Sequence, residues 1–368
     1  MKFTCERDAI IEVISIAQEI VSSKTALSIL SNVLLDAQEN VLRIKATDMK
    51  VGFETTIPVE VAEPGSITVF CDKFLGILRA LPPGEVEFDL NENMLLMIKP
   101  IFKKIEFRLK SISSDRYPEL QAIQEDHFFD LSQKEFVEMV SATIFAVSTD
   151  ESRYFMNGVY LEKIDDRLIM VASDGRRLSY VAKNAEEGVP DIQGVIIPPK
   201  ILTMLRKMLS GEGKLSLCVT EKNIFVRFEN QHLYSNLIEG QFPNYQRVIP
   251  EQQEHRIVVQ KDLLESALRR VALLVEEKSR RVFLRIQEDN LTVASEESEI
   301  GVAREEIPCQ YQGPEAEIAL NYLYLVEPLR QIQDENISID FTDTSKAITI
   351  KSVPEKEYLH IVMPMQPK

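Results

Sequence analysis

The segment "VLRIKATD" at residues 41–48 returns as "LIMVASD" at 168–174 and as "LTVASEE" at 291–297. Ala46-Thr47-Asp48 lies 126 residues before Ala172-Ser173-Asp174, which lies 122 residues before Ala294-Ser295-Glu296. Spacing this regular marks a repeated structural unit, and it restricts the fold more than any other feature of the chain. Upstream of each copy stands a hairpin pattern: "VLLDAQENVLRI", "VYLEKIDDRLIM" and "VFLRIQEDNLTV". In each, apolar runs flank a turn rich in Asn, Asp and Glu.

Before each hairpin a short strand runs into a helical pattern: "KFTCERDAIIEVISIAQEI", "FFDLSQKEFVEMVSATIFAV" and "RIVVQKDLLESALRRVALLV". In the third, Leu264, Leu268, Val271 and Val275 recur at helical spacing. Each copy then repeats the design at 69–99, 195–228 and 318–350, with a strand, an amphipathic helix and a second hairpin. Val86, Phe88 and Leu90 alternate with Glu87 and Asp89, and Ile337, Ile339 and Phe341 with Ser338 and Asp340. The chain of 368 residues is too long for one ordinary core. It predicts an α+β fold of three tandem domains, 1–125, 126–253 and 254–368, each with antiparallel sheets and two helices. The boundaries fall in "AIQEDH" and "PEQQEH", which are polar and without periodicity.

The formal net charge is −16, which by itself argues against a nucleic-acid partner, because phosphate neutralisation supplies most non-specific affinity. The charge is unevenly placed. The stretch "PPKILTMLRKML" at 198–209 carries Lys200, Arg206 and Lys207 and no acid. On a helix its Ile, Leu and Met residues take one arc and the cations the other. The corresponding helix of the first copy carries Lys73 and Arg79 against Asp72, so residues 72–81 and 199–210 together hold five basic residues and one acidic. The first helix of the third copy adds Lys261, Arg269 and Arg270 against Asp262 and Glu265. Acids crowd the hairpin turns instead: "DAQEN", "LNEN", "QEDN" and "SEESE". Cationic helices on an acidic molecule suit a protein that surrounds DNA without gripping it, and no helix-turn-helix or zinc-finger pattern is present to read bases.

Enzyme signatures are missing. "SGEGKLS" at 210–216 has Met208 where a P-loop needs glycine, and there is no GxSxG, HExxH or GxGxxG. Cys5, Cys71, Cys218 and Cys309 are isolated and His127, His232, His255 and His360 scattered, so neither a disulfide frame nor a metal or cofactor is expected. Glu6 and Asp8 stand where a signal peptide needs its apolar stretch, and a cytoplasmic, non-membrane protein is expected. Two other classes fit parts of the sequence: a peptide-binding scaffold that never encircles DNA, and an enzyme with a site around Asp174, Arg176 and Arg177.

Five blocks carry a specific resemblance: "MKFTCER", "SRYFMNGVYLE" (152–162), "ASDGRRLS" (172–179), "EGQFPNYQRVIP" (239–250) and "IVMPM" (361–365). In them and in their order the chain resembles the bacterial sliding-clamp family, the β subunits of the replicative DNA polymerase, over essentially its whole length. The resemblance implies a non-catalytic processivity subunit. It implies three DNA-clamp domains per chain and a head-to-tail homodimer closing as a ring, with helices lining the hole and sheets outside. Phe107 and Leu109 would meet Leu273 and Leu274 across the joint. A hydrophobic cleft between the second and third domains would dock short linear motifs of the polymerase, the clamp loader and repair proteins. It maps onto Arg153, Met156, Ser173, Gly175, Arg176, Arg177, Leu178, Pro243, Arg247 and Val248, then Asn321, Tyr324, Ile361, Met363, Pro364 and Met365. Positions facing double-stranded DNA would be Lys24, Lys73, Arg79, Tyr154, Phe155, Lys200, Arg206, Lys207, Arg269 and Arg270. The chain departs from the family at Arg176, where histidine is common, and at Gln366, where arginine is common. It departs again at Asp150, a carboxylate expected to repel phosphate.

Overall fold

A computed structural model describes residues 1–21, 29–121 and 127–366. The three hairpins read from the repeat are present. Strands Asn32–Gln38 and Val41–Thr47 turn through Glu39 and Asn40, both at positive φ. Val159–Ile164 pairs with Arg167–Ser173, and Arg281–Gln287 with Asn290–Ser295, with Asp165 and Asp289 at positive φ in the turns. Asn and Asp tolerate the left-handed region best among residues with a side chain, which is why turn composition betrayed these hairpins.

Six α-helices are found among the described residues: α1 (Arg7–Ile20), α2 (Cys71–Ala80), α3 (Gln133–Thr143), α4 (Pro199–Met208), α5 (Lys261–Val271) and α6 (Tyr322–Leu329). They fall two to a repeat. The first helix of each copy starts with its first backbone N–H donating to a distant backbone carbonyl. Arg7 N–H donates to Gly84 O (3.1 Å), Gln133 N–H to Gly213 O (3.1 Å) and Lys261 N–H to Glu335 O (2.9 Å). In each case the acceptor lies in the loop that leaves the second helix, so the two halves of a copy are tied at that point. A helix start otherwise leaves four backbone donors unpaired.

The packing divides the chain into two compact units. One comprises Met1–Gln133 and Thr203–Leu237; the other comprises Lys134–Leu202 and residues from 238 onward. Each unit holds one antiparallel sheet, of 13 and 12 strands among the described residues. These sheets run across the repeat boundaries. In the first, Gln231–Asn236 from the second copy pairs with Val51–Pro58 from the first, His232 opposite Glu54 and Ser235 opposite Val51. In the second, Arg177–Asn184 pairs with Tyr358–Val362 from the third copy, Leu178 opposite Ile361 and Ser179 opposite His360. The edges of neighbouring copies thus satisfy each other's backbone groups.

Within the first unit α1 buries Ile10, Val13, Ile14, Ala17 and Ile20, and α2 buries Phe74, Leu75 and Leu78. Phe3 stacks on Phe88 at 4.7 Å, and Phe74 meets Phe88 edge-on at 6.0 Å. Within the second unit Leu264, Ala267, Leu268 and Val271 of α5 pack with Leu325, Val326 and Leu329 of α6 in one core. All four cysteines are buried and unpaired; burial pushes the Cys5 and Cys71 thiols up to about 12.

Candidate functional site

Most residues of the expected cleft lie together in the second unit, around the turn that follows strand Arg167–Ser173. Asp174 shapes that turn, its Oδ1 accepting from Arg176 N (2.9 Å) and Arg177 N (3.1 Å). Ser173 Oγ donates to Arg177 O (2.7 Å) and accepts from Gly175 N (3.1 Å). Gly175 has φ +84°, and a Cβ there would come within 2.7 Å of an Arg153 guanidinium nitrogen. The positive φ favours glycine at this position, and the Arg153 side chain lies across the turn. Met156, buried, sits just beyond.

The C-terminal segment forms a second wall. Met363 N donates to Arg176 O (2.9 Å), and Met365 N donates to Ala319 O (2.8 Å). Residues 363–365 therefore span from the 173–177 turn to strand Ala316–Asn321. Their methionines are partly exposed, Met363 at 42%. Arg281, nearly buried, donates to Gln366 O (3.3 Å) and holds the end of this span. The third wall is the 242–248 segment. Phe242 stacks on Tyr160 at 4.8 Å and Tyr245 donates from its hydroxyl to Glu162 (2.5 Å). With those two rings packed inward beside Leu178 and Ile361, Pro243, Arg247 and Val248 are left exposed. The result is a surface of methionine, proline and valine edged by Arg153, Arg176 and Arg247.

Arg177, expected among the cleft residues, is buried beneath the turn. Its side chain is only 8% exposed. Nε donates to Asp174 Oδ2 (3.1 Å), Nη1 pairs with Glu327 of α6, and Nη2 donates to Phe145 O (2.5 Å). The guanidinium also lies 4.5 Å from the Tyr324 ring centre. Five donors in a fixed fork suit such a junction. Arg177 ties the 173–177 turn to α6, whose N-terminus Asn321 caps by accepting from Leu323 N (3.0 Å). Both Asp174 oxygens are engaged in the turn, Oδ1 by two backbone N–H groups and Oδ2 by the Arg177 guanidinium. His360, fully buried between Phe145 and Arg177, is held down at about 3, first by burial and then by the neighbouring positive charge. Ser173, Leu178 and Ile361 are likewise buried; they support the surface from below.

The cationic residues lie where helical spacing put them. Lys73 and Arg79 on α2, Lys200, Arg206 and Lys207 on α4, and Arg269 and Arg270 on α5 are all exposed. In the first unit Arg79 donates to Ser15 of α1 (3.2 Å) and Lys207 pairs with Glu19 of α1. Tyr154 is 54% exposed beside Gly240, while Phe155 packs against the aromatic cluster of the cleft. Lys24 lies outside the described residues. Asp150 caps its own turn, accepting from Ser152 N (3.0 Å) and Arg153 Nε (3.1 Å). Its charge is largely answered by Arg153.

Sequence reasoning missed Arg330, Glu327 and Arg281. Arg330 had a legible signal. The pairs Leu78-Arg79, Leu205-Arg206 and Leu329-Arg330 occupy the same place at the end of the second helix in each copy, with the leucine buried and the arginine exposed. Glu327 and Arg281 had none, since their partners are far away in sequence.

Of the proposed joint residues, Leu273 is 82% exposed and Leu274 lies against the Gly301 turn; Phe107 and Leu109 are half-buried. Among the described residues no helix is long and apolar enough to cross a membrane, and no cluster of His, Cys, Asp and Glu could hold a metal ion.

Family models described as DNA polymerase III beta subunit match the chain from end to end: the N-terminal domain at residues 1–121, the central domain at 130–244 and the C-terminal domain at 246–366. The chain is 45% identical over 370 residues to a beta sliding clamp of Treponema pallidum, covering all of both proteins. Crystal structures of a DNA polymerase sliding clamp from Bacillus subtilis (26% identity, TM-score 0.94) and of a griselimycin-bound DnaN sliding clamp from Pseudomonas aeruginosa (28%, 0.93) match over the full length of each chain. The Arg177–Glu327 pair accordingly joins residues of the central-domain and C-terminal-domain matches.

Proposed function

From a chain that belongs to the DNA polymerase III beta-subunit family, we infer a sliding clamp that encircles duplex DNA and tethers the replicative polymerase to it. The observation that carries this is the repeat: three copies, each with an exposed arginine at the end of its second helix, in a molecule whose remaining surface is strongly acidic. Phosphate attraction confined to helices, with no base-reading element, holds a duplex without selecting its sequence. Two chains joined head to tail would bring six copies around one opening, with Phe107 and Leu109 of one against Leu273 and Leu274 of the other. Leu273 supports that joint, because an apolar side chain 82% exposed in a monomer gains burial by pairing. The domain boundaries at 125/126 and 253/254 go with this reading.

The partner site is the methionine-, proline- and valine-lined surface of the second unit. Methionine is flexible and polarisable, which suits a groove that accepts several peptides. The occupants are short linear motifs of the polymerase, the clamp loader and repair proteins, and the protein works in the cytoplasm as a non-catalytic subunit. The test loads the chain with its clamp loader onto nicked circular DNA and then linearises the circle. Prompt loss on linearisation is expected; retention on the linear product, or no loading at all, refutes the ring.

A further inference from the structure

Three of the cations assigned to the duplex, and Arg330 with them, already hold a carboxylate. Lys207 Nζ lies 3.0 Å from both oxygens of Glu19. Arg270 takes Glu305 in a fork, Nε to Oε2 at 2.8 Å and Nη2 to Oε1 at 2.5 Å. Glu265 sits between two arginines: Arg269 Nη2 bonds its Oε1, and Arg330 Nε lies 3.7 Å from the same oxygen. All four cations are more than half exposed, so none is tied up by burial. The fork on Glu305 is the geometry an arginine offers a phosphate. The Arg270 guanidinium accordingly holds the Glu305 carboxyl below the usual range.

We propose that Glu19, Glu265 and Glu305 act as built-in phosphate surrogates that keep the clamp's cationic helices from gripping DNA. This rests on the sliding-clamp reading. A phosphate approaching Lys207 or Arg270 meets a cation that is already paired, so contact is an exchange of one anion for another and not a net gain. Each contact is therefore made and broken at little cost, which is what lateral movement along the duplex requires. Arg206, which makes no ion pair among the described residues, is left as a standing attraction.

The experiment measures binding of a short linear duplex by fluorescence anisotropy against salt concentration. Its subjects are the full chain and a variant carrying Glu19→Gln, Glu265→Gln and Glu305→Gln. Releasing a cation to contact phosphate steepens the slope of log K on log salt by about 0.9 per contact, so a steepening of at least about 1 is expected. A control with Glu60→Gln, Glu92→Gln and Glu288→Gln changes net charge equally on exposed residues away from the helices and is expected to leave the slope nearly unchanged. An unchanged slope in the helix variant, or equal steepening in both, overturns the proposal. The single Glu305→Gln variant gives the same reading should the triple variant fold poorly. Retention of the unaltered chain on circular DNA is scored separately, so failure of the ring and failure of the surrogates are distinct results.

Discussion

Arg177 is the residue on which the cleft's geometry most depends, and Arg177→Met isolates its charge while keeping most of its volume. The substitution strands Glu327 and half of Asp174 in a partly buried setting, leaves Phe145 O without its donor, and removes the cation over Tyr324. Removing one member of a buried ion pair costs about 3–5 kcal/mol. Glu327 is 30% exposed and can recover some hydration, which places the expected loss near about 3 kcal/mol. The chain has two compact units, so a single unfolding midpoint would blur the effect. Amide hydrogen exchange resolves it: strand Arg177–Asn184 and α6 should exchange about two orders of magnitude faster, while α1 and α2 stay unchanged. Adding Glu327→Gln should recover about 1–2 kcal/mol, because the stranded carboxylate is then neutral. A change below about fivefold in the single variant, or no recovery in the double, refutes the account of Arg177 as the strut between turn and helix.

His360 makes stability depend on pH. Its folded pKa, about 3, lies below the ordinary 6.5, so the unfolded chain takes up the proton first as pH falls. Stability present above pH 6.5 should be lost between 6.5 and 3 by up to about 1.4 kcal/mol per pH unit, and His360→Phe should flatten that part of the profile in urea titrations at pH 7 and 5. At the proposed joint, Leu273→Asp should shift the chain from dimer to monomer in analytical ultracentrifugation with little change in thermal stability, since the side chain is exposed in the protomer; an unchanged dimer contradicts the joint.

The sequence by itself determined what local physics controls. Strand alternation, turn residues that tolerate positive φ, and one-sided helices made the three copies and their hairpins legible, and the repeat alone located Arg79 and Arg206 on comparable helix ends. The same comparison reached Arg330 had it been carried to the third copy. The resemblance named residues that the fold brings together, yet it could not tell an exposed one from a buried one: Arg153 lies over Gly175, whereas Arg177 is buried against Glu327, 150 residues away. Only the tertiary structure decided which edge strand meets which, because every edge presents the same N–H and C=O groups whatever its side chains. It also decided that Lys207 meets Glu19 across 188 residues of chain. Pairings of this kind are set by how the copies fold together, and no local pattern in the chain encodes them.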